Sequence, residues 1–155
     1  MKILNGNELA DFVKERQARQ VRALRQAWKV LPRLAIVIAN DNPVINAYVG
    51  LKKAYGEDVL VEVDIHTVPQ SQVTETIEQL NNDPLVHGIV VQLPLADPAQ
   101  TDEVLAHISP EKDVDGLRGF DGPYQSATAT AIDWLLAGYN VPLKGREVAI
   151  VGMGR

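Results

Sequence analysis

The chain has no cysteine. That rules out a disulfide framework and any thiolate metal site, and it fits a reducing compartment. No stretch approaches the ~20 consecutive apolar residues that a membrane-spanning helix needs. The opening Met1-Lys2-Ile3-Leu4-Asn5-Gly6 lacks the apolar run of a signal peptide, and the reading is a soluble cytoplasmic protein. There is no basic excess either, since the formal net charge is −5. Lys and Arg cluster between Lys14 and Arg33 among apolar residues, a pattern expected of a solvated helix face rather than of a nucleic-acid surface. The three histidines, His66, His87 and His107, stand far apart with no ligand spacing, so no metal site is expected. No Ser-His-Asp pattern, internal repeat or low-complexity tract stands out.

What remains is an ordinary globular composition, 46% hydrophobic and 23% charged over 155 residues, enough for one domain or for a domain with part of a second. Apolar residues at helical spacing (Leu9, Phe12, Val13, Val21, Leu24, Trp28) predict a long amphipathic helix over 7–30. Leu34 to Ala39 reads as a buried parallel strand. Asn42-Pro43 offers an N-cap and a first helical position, predicting a helix that runs to about Gly56. A strand is expected from Val59 to Val68, a helix from Gln70 to Asn82, and a strand from Gly88 to Leu93. Helix is expected again from Pro98 to Ile108. A loop rich in Asp, Gly and Pro spans Ser109 to Tyr124. A helix from Ala127 to Tyr139 and a last strand from Arg146 to Val151 complete the pattern. Strands alternating with helices imply a parallel sheet with helices on both faces.

Four features carry chemistry. Tyr48 and Lys52 stand at i and i+4, roughly 5–6 Å apart on one helix face. A phenol beside a partly buried amine makes a plausible acid/base pair. An exposed lysine and a core tyrosine on an ordinary helix give the same spacing. Short-chain dehydrogenases share Tyr-x-x-x-Lys, but there it follows the glycine-rich turn, whereas here it precedes Gly152 by about a hundred residues. Gln92 interrupts an apolar run at the expected carboxyl end of a strand, just before Leu93-Pro94, where open parallel sheets bind ligands. A structural glutamine bonded to loop backbone is the other reading. In Lys112-Asp113-Val114-Asp115-Gly116, two carboxylates at i and i+2 point opposite ways, so that one can hold the loop while the other faces a ligand. Finally, Val148-Ala149-Ile150-Val151 runs into Gly152-Met153-Gly154-Arg155, the first half of a dinucleotide-binding turn. The chain reads as a fragment of a longer protein, because that strand has no crossover partner.

Taken in order, these segments resemble the bifunctional methylenetetrahydrofolate dehydrogenase/methenyltetrahydrofolate cyclohydrolase family. Ile3-Leu4-Asn5-Gly6 is similar to its opening. Asn42-Pro43, Tyr48-Val49 and Lys52 resemble its Asn-Pro-Ala-Ser-x-x-Tyr-Val-x-x-Lys segment. Gly88-Ile89-Val90-Val91-Gln92-Leu93-Pro94-Leu95 resembles its Gly-x-x-Val-Gln-Leu-Pro-Leu strand, and Lys112 to Gly116 matches its Lys-Asp-Val-Asp-Gly loop. The resemblance implies that Lys52 is the acid/base residue of the cyclohydrolase step and that Gln92 hydrogen-bonds and orients it. Tyr48 would stack on the folate's aromatic ring and help position Lys52. Asp115 would accept hydrogen bonds from the pterin's amide edge, with Val91, Leu93 and Pro94 beside the substrate. Gly152, Met153, Gly154 and Arg155 would approach the phosphates of NADP. The sequence departs from the family at Ile45, where the family has a substrate-pocket serine. It departs again at Ser126 to Ile132, which stands in place of Pro-Cys-Thr-Pro-x-Gly-Ile.

The implied architecture is α/β: a Rossmann-like parallel-sheet substrate domain over residues 1–125, then the linking helix and first strand of an NADP-binding domain over 126–155. The implied protein is a homodimer of one-carbon folate metabolism. It would oxidise 5,10-methylenetetrahydrofolate with NADP and hydrolyse the product to 10-formyltetrahydrofolate, although these 155 residues alone are not expected to carry out the dehydrogenation. Two alternatives are a non-catalytic folate-binding or dimerisation fragment and another two-domain NADP dehydrogenase, such as a shikimate-type enzyme.

Overall fold

The computed structural model describes residues 3–40, 42–119 and 122–152. Helix α1 spans Gly6–Trp28, β1 Arg33–Ile38, α2 Pro43–Val59, β2 Glu62–Thr67, α3 Val73–Asn82, β3 Gly88–Gln92, α4 Thr101–Ala106 and α5 Ala127–Gly138. Short 3-10 turns at Gln70–Gln72 and Pro98–Gln100 lead into α3 and α4. The strands form a parallel sheet in the order β2-β1-β3. The expected parallel α/β architecture is therefore present.

Side-chain alternation splits the core into two layers. Ala35, Val37, Ile89 and Val91 face α3 and α4, meeting Val73, Ile77, Leu80, Val104 and Leu105. Ile36, Ile38 and Val90 face the other way, onto Ile45 and Val49 of α2. Each fully buried aliphatic side chain contributes on the order of 1.5–3 kcal/mol.

Helix α2 starts as its sequence predicts. The Asn42 side chain accepts from the N–H of Val44 at 2.9 Å and of Ile45 at 3.1 Å, with Pro43 in the first turn. It does not stop near Gly56, as expected, but continues to Val59, where Leu60 turns left-handed at φ 66. Gly56 instead permits close packing: a Cβ there would lie 2.4 Å from Val63 Cγ2 and 3.0 Å from the Val61 carbonyl oxygen. The expected strand over 59–68 is accordingly shortened to β2.

The expected strand over 146–151 is absent. A parallel strand needs a neighbour's ladder, and among the described residues the sheet holds only β1, β2 and β3. Ile150 is 86% exposed. Helix α5 lies on α1, where the Tyr139 hydroxyl donates to Glu8 at 2.8 Å and accepts the Asn5 N–H at 3.0 Å. The amphipathic face of α1 is only partly covered, with Ala18 and Val21 buried but Phe12 and Trp28 exposed.

Candidate active site

The site forms at the carboxyl ends of β1 and β3. Helix α2 seats its buried stripe of Ile45, Val49, Gly56 and Val59 on the sheet, which leaves Tyr48 and Lys52 on its flank. Lys52 is half-buried, and its Nζ donates to Gln92 Oε1 at 2.9 Å. This is the Lys–Gln pairing that the resemblance implies. The other end of the Gln92 amide is fixed too, because Nε2 donates to the Leu93 carbonyl at 3.1 Å. The orientation of the amide is thus set by the backbone of the next residue, and only an oxygen is offered to the lysine.

Tyr48 stands apart from this pair. It is 58% exposed. It borders a shallow apolar hollow of about 460 Å³ with Pro43, Val44, Ala47 and Leu51. Lysine and tyrosine share a helix flank, but the lysine's hydrogen bond goes to glutamine.

The loop after α4 comes alongside β3 through a parallel bridge, Ile89 to Asp113, in which the Ile89 N–H donates to the Lys112 carbonyl at 2.7 Å. Gly88 allows this approach, since a Cβ on it would meet Val114 Cγ1 at 2.9 Å. Within the loop the two aspartates divide their work. Asp113 is only 3% exposed. Its Oδ1 accepts the N–H of Gly116 at 3.1 Å and of Leu117 at 3.4 Å, and Oδ2 accepts that of Arg118 at 3.0 Å. Asp115 is half-buried, and among the described residues its carboxylate has no hydrogen-bond donor. Burial pushes its carboxyl above the usual aspartate value of 3.8. The Lys52 charge opposes that rise and the Asp113 charge adds to it. A desolvated carboxylate within reach of a lysine's field, lacking a donor of its own, is primed to accept hydrogen bonds from a ligand.

The family model of the tetrahydrofolate dehydrogenase/cyclohydrolase catalytic domain matches residues 4–115. The chain belongs to this family. The bifunctional protein FolD of Sulfurovum sp. is 32% identical over 164 residues, covering 98% of this chain and 58% of the relative. That of Helicobacter hepaticus is 34% identical over 165 residues, covering 99% and 57%. The crystal structure of the bifunctional enzyme FolD from Campylobacter jejuni matches with a TM-score of 0.87 at 29% identity, over 94% of this chain and 56% of that one. The chain thus spans somewhat over half the length of these relatives.

Within the family frame, Ile45 has a structural explanation. It is 2% exposed and packs with Ile36, Ile38, Val49 and Val90, so this position feeds the core and offers nothing to a ligand. Val91 is likewise buried, on the α3 side; of the residues expected beside the substrate, it can present only backbone. Leu93 is partly buried and Pro94 is exposed, with a cis bond between them. The stretch that departs from the family motif, Ser126 to Ile132, opens α5, whose first N–H, on Ala127, donates to the Asp115 carbonyl at 3.3 Å.

Of the glycine-rich end, Met153, Gly154 and Arg155 lie outside the described residues. Gly152 has φ +121, and among the described residues nothing stands within 4 Å of where a Cβ would be. An open backbone in a conformation that favours glycine fits the close approach of a dinucleotide phosphate.

The sequence reading missed Lys112. Its Nζ donates to the carbonyls of Leu80, Asn81 and Asp83 at 2.8, 2.8 and 2.7 Å, closing the carboxyl end of α3 where a cation is favoured. A lysine opening the Asp-rich loop was the available signal. Its target, 30 residues earlier, had no mark in the sequence.

Proposed function

We propose that this chain is the folate-binding part of an enzyme that oxidises 5,10-methylenetetrahydrofolate and hydrolyses the methenyl product to 10-formyltetrahydrofolate. The observation that carries the reading is the Lys52 Nζ–Gln92 Oε1 hydrogen bond of 2.9 Å beside the undonated carboxylate of Asp115. In hydrolysis, water adds to the electron-poor methenyl carbon. The Lys52 amine takes a proton from that water and delivers it to the ring nitrogen as the carbon–nitrogen bond breaks, leaving the formyl group on the other nitrogen and releasing one net proton. Gln92 offers its oxygen and so keeps the lysine aimed. Asp115 takes a bidentate pair of N–H groups from the pterin's amide edge, and the exposed Tyr48 ring is the stacking platform. NADP, held at the turn that begins with Gly152, supplies hydride acceptance when bound.

The same reading places a folate-binding domain over residues 1–125 and the start of the cofactor domain over 126–155, in a cytoplasmic homodimer. Among the described residues no helix is long and apolar enough to cross a membrane.

Lys52→Met tests the assignment. Hydrolysis of 5,10-methenyltetrahydrofolate is expected to fall about 100-fold or more, in the range of general acid–base contributions, with the circular dichroism spectrum unchanged. A variant that hydrolyses at the wild-type rate defeats the mechanism.

A further inference from the structure

We propose that Asp113 is a positioning residue for substrate binding. Its buried carboxylate gathers the backbone N–H groups of Gly116, Leu117 and Arg118 into one turn, Lys112 ties that turn to α3, and Asp115 is thereby held ready before the ligand arrives. The inference rests on the folate-site reading above, in which Asp115 meets the pterin.

Three observations support it. Among the described residues the loop joins the sheet by one bridge, at Ile89, so strand pairing cannot by itself fix Asp115, two residues after Asp113. The turn closes where glycine alone fits: Gly116 has φ +64, and a Cβ there would come within 2.6 Å of the Gln125 carbonyl carbon. Its backbone N–H, with two others, ends on Asp113. The charge of Asp113 also reaches the ligand-facing carboxyl, raising its proton affinity. Asp113 therefore holds Asp115 in place and adds to a rise in proton affinity that burial chiefly causes. A carboxylate can accept all three N–H groups, whereas an amide replaces one acceptor with a donor that faces them.

The test is calorimetric titration of wild type and Asp113→Asn with a stable tetrahydrofolate analogue over a range of acid to neutral pH. The variant is expected to bind roughly tenfold more weakly, about the worth of one hydrogen bond to a charged group. The pH at which affinity is half lost on acidification is expected to move lower, because a negative neighbour of Asp115 is gone. A role limited to charge would move that midpoint while leaving affinity at neutral pH as in wild type, and that result would overturn the positioning claim. Unchanged affinity and midpoint overturn the proposal while leaving the folate reading intact; wild type that does not bind the analogue overturns both. Should Asp113→Asn fail to fold, amide hydrogen exchange of the unliganded wild type decides. Protection at Gly116, Leu117 and Arg118 comparable to that in β3 supports a turn held in advance, and exchange at the rate of an unstructured chain overturns it.

Discussion

Asp113 and Asp115 are the same side chain two positions apart, and their surroundings give them opposite tasks. Asp113 spends its lone pairs on three backbone donors; Asp115 has none among the described residues. The i, i+2 spacing showed that the tasks would divide, and the family resemblance named Asp115 as the ligand-facing one; spacing alone could not, because that depends on where the chain turns after Val114. The Lys52–Gln92 contact was implied by family resemblance, and spacing alone had left Lys52 open. The structure adds how Gln92 is aimed, through the Leu93 carbonyl. An uncompensated half-buried carboxyl costs stability once it is ionised. Its folded-state pKa lies above the usual 3.8, chiefly through burial. Below 3.8 both folded and unfolded states hold the proton and nothing is lost. As pH rises through the interval up to the folded value, the unfolded chain releases its proton first, so stability falls, and above that interval the cost is fully present. Asp115→Asn removes the cost. Thermal unfolding over a pH series is expected to show the variant more stable than wild type at neutral pH, with the gap closing in acid. A variant less stable than wild type at neutral pH contradicts this account of the carboxyl.

At the level of elements, local rules located most helices and strands but misplaced some ends. The Asn42 cap and Pro43 fixed the start of α2, a signal contained in two adjacent residues. Gly56 was misleading because a glycine late in a helix reads as a stop, and its actual partner, Val63, lies on the next strand. The strand expected over 146–151 failed for a related reason: a short apolar run is a local signal, whereas a strand exists only beside another. These reasons make a prediction with an unusual sign. Gly→Ala inside a helix normally stabilises by roughly 0.5–1 kcal/mol. Gly56→Ala is expected to destabilise instead, by about 1–3 kcal/mol as an overpacked contact does, because the new methyl would lie 2.4 Å from Val63 Cγ2. The urea midpoint measures this, and a midpoint raised above wild type would show that α2 does not need the close approach.

At the scale of the molecule, the parallel sheet of β1, β2 and β3 and its two packed faces place the ends of β1 and β3 beside the flank of α2. The Asp113 loop then lies next to β3. The site draws Lys52, Gln92 and Asp115 from three separate segments, so its existence follows from topology rather than from any one motif. Outward of it, α5 and the segment after it keep apolar residues in solvent, among them Ile132, Trp134, Val148 and Ile150. The family places the chain, and the relatives that it matches are longer. The central claim is that these three segments form one folate site, and titration with a stable tetrahydrofolate analogue tests it most directly. Wild type is expected to bind at a single saturable site. Asp115→Ala is expected to bind at least about tenfold more weakly, in line with losing hydrogen bonds to a charged acceptor, while keeping its cooperative unfolding. Wild type that binds no analogue, or Asp115→Ala that binds as tightly as wild type, would contradict the account.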